Sequence, residues 1–305
     1  MEIPQRQLGR TGMTVTQLGY GTMGLRGPRT WGVRVVDEAA ASRVLNAVLD
    51  AGINFLDTAP DYGIAEERIG RYLSHRRHEF LLATKCGCTP VQHEDHLEIR
   101  HQWTPAVIRA NVEESLRRLR TDVIDLLQFH GGRWEDHQHS GALDAALRLR
   151  EEGKIRHLGI STSLPEVEEH LSADVWETVQ LPYSALQQEH DSVMRAASDS
   201  RLGVIVRGGV AHGGPDAEIQ REALNRLWER MGLDELRPPD HTRAQFLLRF
   251  TLSHPACDTT IVGTCNLEHL QENIQAAARG PLSDELVAEI RRRWQKATED
   301  RSHGT

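Results

Sequence analysis

Four titratable residues stand at or just after the ends of three successive apolar segments of the sequence. Asp57 lies near the end of the second such segment, and Tyr62 follows five residues later. Lys85 ends the third segment, and His130 follows the fourth. A tyrosine has an unperturbed pKa of about 10, so its phenol can donate a proton at neutral pH. An ammonium group beside it would stabilise the phenolate and lower that pKa, so Lys85 could prepare Tyr62 as a proton donor.

The other two residues suit the same task. Asp57 can pair with Lys85 and keep it charged, because an unpaired buried ammonium tends to lose its proton. His130 can donate a hydrogen bond that orients a substrate oxygen. The four side chains together therefore predict protonation of a carbonyl oxygen.

This set includes no nucleophile, so another group must attack the carbonyl carbon. Hydride from a reduced cofactor is the natural candidate. An isomerase or aldolase that uses Lys85 as a Schiff-base amine is an alternative. Each residue alone also has a structural explanation, such as a loop cap, a packed ring, an ion pair or a core histidine. The occurrence of all four at segment ends favours catalysis.

The elements that must position these residues follow a regular order. Apolar segments alternate with amphipathic stretches, which predicts alternating strands and helices. The predicted strands are 15–20, 53–58, 80–85, 123–129, 155–161, 178–183, 203–207 and 258–263. We predict an α/β fold, one closed (β/α)₈ barrel domain over residues 1–305, because no linker divides the chain. A doubly wound open sheet is the second choice. In a barrel the carboxyl ends of the strands form one rim, where the four residues would meet.

Helix-capping residues support this order of elements. Asp37 precedes a helical pattern, and Thr104 followed by Pro105 is a favourable helix start. Asn266 and Ser283 are predicted to cap the last two helices.

The early glycines Gly19, Gly21 and Gly24 match the spacing of a dinucleotide-binding turn. That motif requires a helix directly after the glycines. The sequence that follows, RGPRTWG (26–32), favours a loop. We therefore interpret the glycines as a loop at the mouth of the first strand.

Several spaced motifs resemble the aldo-keto reductase superfamily, in the same order along nearly the whole chain. They are NFLDTAPDYG (54–63), LLATKCG (81–87), LRRLRTDVIDLLQFH (116–130), KIRHLGIST (154–162), VQLPYS (179–184) and IVGTCNLEHLQEN (261–273). The resemblance implies a (β/α)₈ TIM barrel with a short N-terminal β-hairpin closing the barrel bottom, for which residues 5–19 are suited. It also implies that the four titratable residues are a catalytic tetrad, with Tyr62 as general acid in reduction and general base in oxidation.

The resemblance implies a nicotinamide cofactor along the same rim. Ser161 and Gln180 match positions that hold its carboxamide, and Tyr183 matches the ring that stacks under the nicotinamide. Residues 207–213 match the segment over the pyrophosphate, whose glycines allow close backbone approach. The full set of expected cofactor contacts is Gly21, Thr22, Asp57, Ser161, Thr162, Gln180, Tyr183, Arg207, Gly208, Gly209, Val210, Gly213, Gly263, Thr264, Asn266, His269, Glu272 and Asn273.

Two departures from the family pattern bear on the cofactor. Thr162 stands where the family often has asparagine, and a hydroxyl offers fewer hydrogen bonds than an amide. Many members grip the adenosine 2′-phosphate with Lys or Arg, whereas the corresponding positions here are Gly263 and His269. Neutral histidine substitutes poorly for a fixed positive charge. Family habit favours NADP, with NAD as the alternative.

Three tryptophans lie near the ends of predicted rim loops. Trp31, Trp103 and Trp134 are candidates for the walls of a substrate pocket shared with Tyr62 and His130. The alternative is that they pack against neighbouring helices. No anion clamp is evident, so a small aldehyde or ketone with an apolar part is favoured over a sugar phosphate.

Composition excludes several other classes of function. With a formal net charge of −8, the chain lacks the excess positive charge that a nucleic-acid partner requires. No segment approaches the ~20 apolar residues of a membrane helix. The first residues show no signal-peptide pattern, so we expect a cytoplasmic protein. Four cysteines in 305 residues do not indicate a disulfide scaffold.

The sequence does not predict a bound metal. Cys86 and Cys88 form a C-x-C motif rather than the C-x-x-C pairs typical of zinc sites. His93, His96 and His101 are better explained as surface loop residues.

A second class of function stays open beside the enzyme. A regulatory subunit that binds the cofactor but turns over slowly would need a partner surface, and the sequence pattern indicates none. The oligomeric state is not predicted.

Overall fold

Strands and helices alternate along the chain as the sequence pattern predicts. The computed structural model describes residues 2–27, 36–93, 97–211 and 221–302. The strands are β1 (Gln5–Gln7), β2 (Thr14–Thr16), β3 (Leu18–Gly21), β4 (Phe55–Asp57), β5 (Leu81–Cys86), β6 (Cys88–Gln92), β7 (Leu97–His101), β8 (Ile124–His130), β9 (Ile155–Ser161), β10 (Thr178–Pro182), β11 (Gly203–Arg207) and β12 (Thr259–Val262). The helices are α1 (Glu38–Asp50), α2 (Ala65–Leu73), α3 (Pro105–Leu119), α4 (Trp134–His139), α5 (Ala142–Glu151), α6 (Val167–His170), α7 (Asp191–Asp199), α8 (Arg221–Arg230), α9 (Leu233–Leu236), α10 (Arg243–Leu252), α11 (Leu267–Ala278) and α12 (Asp284–Ser302).

Eight of these strands close into a barrel in the order β3-β4-β5-β8-β9-β10-β11-β12, with β12 pairing back to β3. Every neighbouring pair in the barrel is parallel. This confirms the (β/α)₈ fold class and rules out the open sheet. Each of the eight predicted segments overlaps one barrel strand.

The prediction of one continuous strand over residues 15–20 is wrong. The segment is divided at Gln17 into the end of β2 and the start of β3. The Asn54 side chain explains the break. Its Oδ1 accepts a hydrogen bond from the backbone N–H of Thr16 (2.8 Å), and its Nδ2 donates to the carbonyl of Thr14 (2.9 Å). These contacts separate β2 from β3, so only β3 belongs to the barrel.

The antiparallel hairpin β1–β2 closes the amino-terminal end of the barrel, as the resemblance implies. Leu8, Met13 and Val15 of the hairpin segment form one buried cluster with residues of the barrel strands, namely Phe55, Ala83, Leu126 and Ile205. Gly9 has a φ of +49°, and a Cβ there would lie 2.1 Å from the backbone nitrogen of Gly203. The hairpin can approach the barrel only because this residue is glycine.

A second antiparallel hairpin, β6–β7, lies between β5 and α3, where the sequence pattern predicts a loop. Cys88 and His101 are paired across its two strands. The side chain of Asn111 on α3 holds its base, accepting from the N–H of Gly87 (2.9 Å) and donating to the carbonyl of Cys88 (3.0 Å). The hairpin is therefore fixed to the carboxyl-end rim.

The predicted helix caps are confirmed. Asp37, Thr104, Asn266 and Ser283 each accept a backbone hydrogen bond of 2.6 to 3.3 Å at the start of a helix. Between Gly21 and Gly27 the described chain forms only the short 3₁₀ turn Met23–Leu25, which agrees with the loop interpretation. No helix in the described ranges is both long enough and apolar enough to cross a membrane.

Candidate active site

The polar residues predicted to act together lie at the carboxyl-end rim of the barrel. Asp57 is the last residue of β4, His130 is the last of β8, and Lys85 is next to last in β5. Tyr62 lies in the loop between β4 and α2. Parallel pairing of these strands brings together residues that are far apart in sequence.

Asp57 and Lys85 form a buried ion pair. Lys85 Nζ lies 2.6 Å from Asp57 Oδ2, and both side chains are 1% exposed. The ammonium also donates to the carbonyl of Thr58 at 2.9 Å. Burial by itself would lower the pKa of Lys85, but the Asp57 carboxylate, together with Tyr62 and Asp61, outweighs it, and the net shift raises that pKa. Lys85 therefore stays charged at neutral pH, as predicted.

The second oxygen of Asp57 accepts two more hydrogen bonds. Gln128 Nε2 and Gln180 Nε2 each donate to Asp57 Oδ1 at 2.9 Å. Gln128 is not predicted from the sequence, although it lies two positions before His130 and thus on the same face of β8. Its polar side chain within the mostly apolar run of this strand is the feature of the sequence that could have indicated it.

Tyr62 lies beside this pair, with Lys85 Nζ 5.1 Å from the centroid of its ring. Burial raises the pKa of Tyr62, and the charge of Lys85 opposes this only in part. The expectation that Lys85 brings the pKa of Tyr62 down is therefore wrong for the net shift. The consequence is a phenol that remains protonated at neutral pH, which is the form that can donate a proton.

His130 stands at the same rim in its neutral form. Burial lowers the pKa of His130 well below its usual value, and the charge of Lys85 lowers it further. Its Nδ1 lies 3.0 Å from Cys88 Sγ and 3.6 Å from Asp61 Oδ1. A neutral imidazole can donate one hydrogen bond without carrying charge.

The expected carboxamide contacts form a continuous chain of hydrogen bonds with Asp57. Ser161 Oγ donates to Gln180 Oε1 at 3.0 Å, and Gln180 in turn donates to Asp57. Thr22 donates to the Asp57 carbonyl from both its backbone N–H (2.9 Å) and its hydroxyl (3.0 Å). Side chains suited to an amide ligand thus lie next to the proposed catalytic residues.

The end of β11 provides charge and close backbone approach for a pyrophosphate. Arg207 is the last residue of the strand, and its guanidinium donates to the Thr162 carbonyl at 3.4 Å. Gly208 follows with a φ of +70°. Gln187 Oε1, 4.0 Å from where a Gly208 Cβ would lie, is buried and has no hydrogen-bond partner among the described residues. An unpaired polar atom beside a glycine turn fits a site for a polar ligand.

The remaining residues of this predicted segment extend away from the strand end. Gly209 accepts from Thr251 Oγ1 at 2.8 Å, and Val210 packs against a buried apolar cluster. Gly213, also predicted to contact the cofactor, lies outside the described residues.

The residues expected to contact the adenosine end of the cofactor lie at the end of β12 and the start of α11. A Cβ on Gly263 would lie 2.7 Å from the carbonyl oxygen of Gly21, so this position accepts only glycine without a backbone shift. Asn266 caps α11. The other predicted contacts here are Thr264 (half-buried), His269 (exposed), Glu272 (half-buried) and Asn273 (buried). Segment 263–273 contains neither Lys nor Arg.

Tyr183 does not fit its predicted role. The side chain is 0% exposed, and its ring packs on Phe250 at a centroid distance of 5.9 Å. Its hydroxyl is directed to Asp191 (3.4 Å) and Arg291 (3.5 Å) of the outer helices. The buried ring presents no exposed face to a nicotinamide, so we do not include Tyr183 in the candidate site.

Two of the three tryptophans predicted to line a substrate pocket lie in the described part of the chain. Trp103 stacks on Phe129 (5.6 Å between centroids) and lies 6.3 Å from the ring of His101, which in turn contacts His130. Trp134 packs on Trp176 at 6.1 Å. The third, Trp31, lies outside the described residues. Trp103 is thus connected to His130 through the ring of His101.

The chain matches the aldo/keto reductase family model over residues 17–295. The uncharacterized oxidoreductase YqkF of Bacillus subtilis is 31% identical, over 93% of this chain and 94% of its own length. D-threo-aldose 1-dehydrogenase of a Pseudomonas species is 28% identical, over 88% of this chain and 91% of its own. Among solved structures, the holo form of aldo-keto reductase AKR11C1 from Bacillus halodurans superposes with a TM-score of 0.82 and 30% identity, covering 96% of both chains.

Proposed function

The chain belongs to the aldo/keto reductase family, and from that premise we propose that it is an NAD(P)(H)-dependent oxidoreductase. It interconverts an aldehyde or ketone and the corresponding alcohol. The observation that carries the proposal is the buried Lys85–Asp57 pair beside the phenol of Tyr62.

In reduction, Tyr62 donates a proton to the carbonyl oxygen, and in oxidation its phenolate accepts the proton of the alcohol. The raised pKa of Tyr62, caused by burial, keeps its phenol protonated at neutral pH. Lys85 stabilises the negative charge that Tyr62 acquires when its proton leaves. Neutral His130 donates a hydrogen bond that orients the carbonyl oxygen.

A bound reduced nicotinamide would supply the hydride that these side chains lack. Ser161 and Gln180 would hold its carboxamide, and Arg207 with Gly208 would hold its pyrophosphate. We propose NADP as the cofactor on family habit. NAD is the alternative, because segment 263–273 offers no fixed positive charge to a 2′-phosphate.

The proposed substrate is a small aldehyde or ketone with an apolar part. Trp103 offers an apolar wall near His130, to which it is connected through the ring of His101. The regulatory-subunit alternative finds no support among the relatives, several of which are named as dehydrogenases or reductases.

The proposal is tested by Tyr62→Phe, which removes the proton donor and keeps the ring. We expect kcat for carbonyl reduction to fall at least ~100-fold, the scale of general acid catalysis. Cofactor affinity, measured by separate fluorescence titrations with NADPH and NADH, should be nearly unchanged. The matched control is Tyr72→Phe. The hydroxyl of Tyr72 donates a hydrogen bond to Glu38 (2.6 Å), and this contact lies away from the rim. Near-normal turnover of Tyr62→Phe over a panel of carbonyl compounds would reject the mechanism.

A further inference from the structure

Three metal-ligating side chains converge beside the proposed catalytic residues. They are Cys88, His101 and His130, and one potential ligand atom from each lies within 4.8 Å of the other two. The rings of His101 and His130 are 5.6 Å apart and nearly perpendicular, at 78°. Two imidazoles and a thiol form a donor set suited to Zn²⁺ rather than to Mg²⁺ or Ca²⁺, which prefer oxygen.

The fold holds these side chains in place from two directions. Cys88 and His101 are paired residues of the β6–β7 hairpin, so their side chains lie on the same face. Asn111 fixes the base of that hairpin through the backbone on both sides of it. His130 projects from the adjacent end of β8. The convergence therefore results from backbone pairing rather than from free loops.

A buried carboxylate lies beside the group. Asp61 is 6% exposed, and its Oδ1 has no hydrogen-bond partner among the described residues. The same oxygen lies 3.6 Å from His130 Nδ1. A buried carboxylate oxygen without a donor is energetically unfavourable. A cation among Cys88, His101 and His130 would satisfy it.

We propose that Cys88, His101 and His130 bind one Zn²⁺ ion, with the Asp61 carboxylate beside His130. Zinc bonds of ~2.3 Å to sulfur and ~2.0–2.2 Å to nitrogen and oxygen place tetrahedral ligand atoms about 3.5 Å apart. The structure has 3.0 Å between Cys88 Sγ and His130 Nδ1, and 3.6 Å between that nitrogen and Asp61 Oδ1. Both distances are close to the required spacing. His101 is exposed and gives the ion access from solvent.

Binding replaces the thiol proton with the metal. The Cys88 sulfur–hydrogen bond breaks, its proton leaves to solvent and a sulfur–zinc bond forms, with no change of oxidation state. Because Nδ1 of His130 faces the cluster, zinc occupies Nδ1 and the ring proton remains on Nε2. The ion would thus fix His130 in the tautomer that donates from Nε2.

The prediction of no bound metal treats Cys86 and Cys88 as a pair, because they form the C-x-C motif. The structure instead separates them, since Cys86 lies in β5 and packs in an apolar cluster. The ligands that join Cys88 come from β7 and β8.

The experiment uses the full chain, freed of any affinity tag and stripped with a chelator. Calorimetric titration with Zn²⁺ should give one equivalent per chain. Titration with Co²⁺ should give thiolate-to-cobalt charge-transfer absorption in the near ultraviolet. Cys88→Ser should abolish that absorption and weaken Zn²⁺ binding more than about 100-fold, beyond the effect of losing an outer hydrogen-bond partner. His101→Ala, at an exposed position, should weaken Zn²⁺ binding similarly.

Matched controls are Cys265→Ser, a partly buried thiol that donates to the Gly24 carbonyl, and His139→Ala, an exposed histidine. Both should bind Zn²⁺ like the parent chain. Circular dichroism identifies variants that have lost the fold. Unchanged Zn²⁺ affinity in folded Cys88→Ser or His101→Ala, or a stoichiometric signal that depends on Cys265, would overturn the proposal. The zinc site does not depend on hydride transfer, because Zn²⁺ binding is measured without cofactor or substrate.

Discussion

The carboxylate of Asp57 contacts both Lys85, one of the proposed catalytic residues, and Gln180, one of the proposed cofactor contacts. One carboxylate oxygen holds the ammonium of Lys85, and the other accepts the amides of Gln128 and Gln180. Each partner comes from a different strand. Displacement of either amide should therefore also disturb the contact between Asp57 and Lys85. The buried pair is stable only while these hydrogen bonds satisfy its charges.

The first residue-scale prediction concerns Gln128. Gln128→Met keeps the side-chain length but removes one donor to Asp57, so Lys85 should be aimed less well at Tyr62. We expect kcat to fall about tenfold, corresponding to ~1.4 kcal/mol, with NADPH affinity nearly unchanged. Steady-state kinetics at saturating cofactor measure this split. Gln295→Met, at an exposed site on α12, is the control, and a change in cofactor affinity equal to the loss of kcat would argue against a positioning role.

The second residue-scale prediction concerns cofactor preference. Gly263 cannot carry a side chain, because Gly21 lies against it. His269 is exposed on α11 and can be replaced without repacking. His269→Arg should therefore raise affinity for NADPH about tenfold, the worth of one charge-assisted hydrogen bond, and leave affinity for NADH unchanged. Equal gains for both cofactors would place this position away from the 2′-phosphate, and His139→Arg controls for added surface charge.

At this scale the sequence predicts residue types better than their surroundings. The pattern of strand ends brings Asp57 and Lys85 together correctly. It does not predict the net shift in the pKa of Tyr62, because burial depends on how loops fold over the rim. It also does not predict that Cys88 meets His101, because that contact depends on hairpin register, which a one-residue slip would reverse.

At the scale of elements, Asp191 at the start of α7 joins several outer segments. Its Oδ1 accepts from His254 Nε2 at 3.1 Å and lies 2.9 Å from the guanidinium of Arg291 on α12. The backbone N–H of Ala256 donates to His254 Nδ1, so the ring proton is on Nε2, directed at Asp191. The hydrogen bond from His254, with Arg195 and Arg291 nearby, lowers the pKa of Asp191.

This network predicts a pH-dependent stability. A carboxyl whose pKa is lower in the folded state stabilises the fold above its unfolded pKa of about 3.9, and that stability is lost as pH falls below it. Asp191→Asn should lower the free energy of unfolding by about 2 kcal/mol at pH 7, the worth of a hydrogen bond to a charged group. The difference from the parent chain should shrink below about pH 4. Urea unfolding at pH 7, 5 and 3 tests this, with Asp199→Asn at the exposed end of α7 as control.

The sequence predicts barrel strands well because each is a short apolar run between clear helix signals. Their boundaries are less predictable where a side chain replaces a ladder contact, as Asn54 does in dividing β2 from β3. The β6–β7 hairpin escapes prediction for a related reason. Its sequence is polar and rich in histidine, so the period-two apolar alternation that indicates a strand is weak.

At the scale of the whole molecule, the two ends of the barrel have different tasks. The carboxyl-end rim carries the polar residues of the proposed site. The amino-terminal end is sealed by an apolar cluster in which Leu8 is 0% exposed and packs with Met13, Phe55 and Ile205. This division predicts that stability and catalysis can be altered separately.

Leu8→Ala tests that separation. Removing a buried leucine side chain leaves a cavity against the barrel, so the free energy of unfolding should fall by about 3 kcal/mol. The rim strands remain paired, so kcat and KM at 25 °C should stay within about twofold of the parent values while the protein is folded. Leu267→Ala, at an exposed leucine, controls for the stability effect. If Leu8→Ala instead lowers kcat in the fully folded protein, the hairpin and the rim are coupled through the barrel interior, and the two ends of the barrel do not act independently.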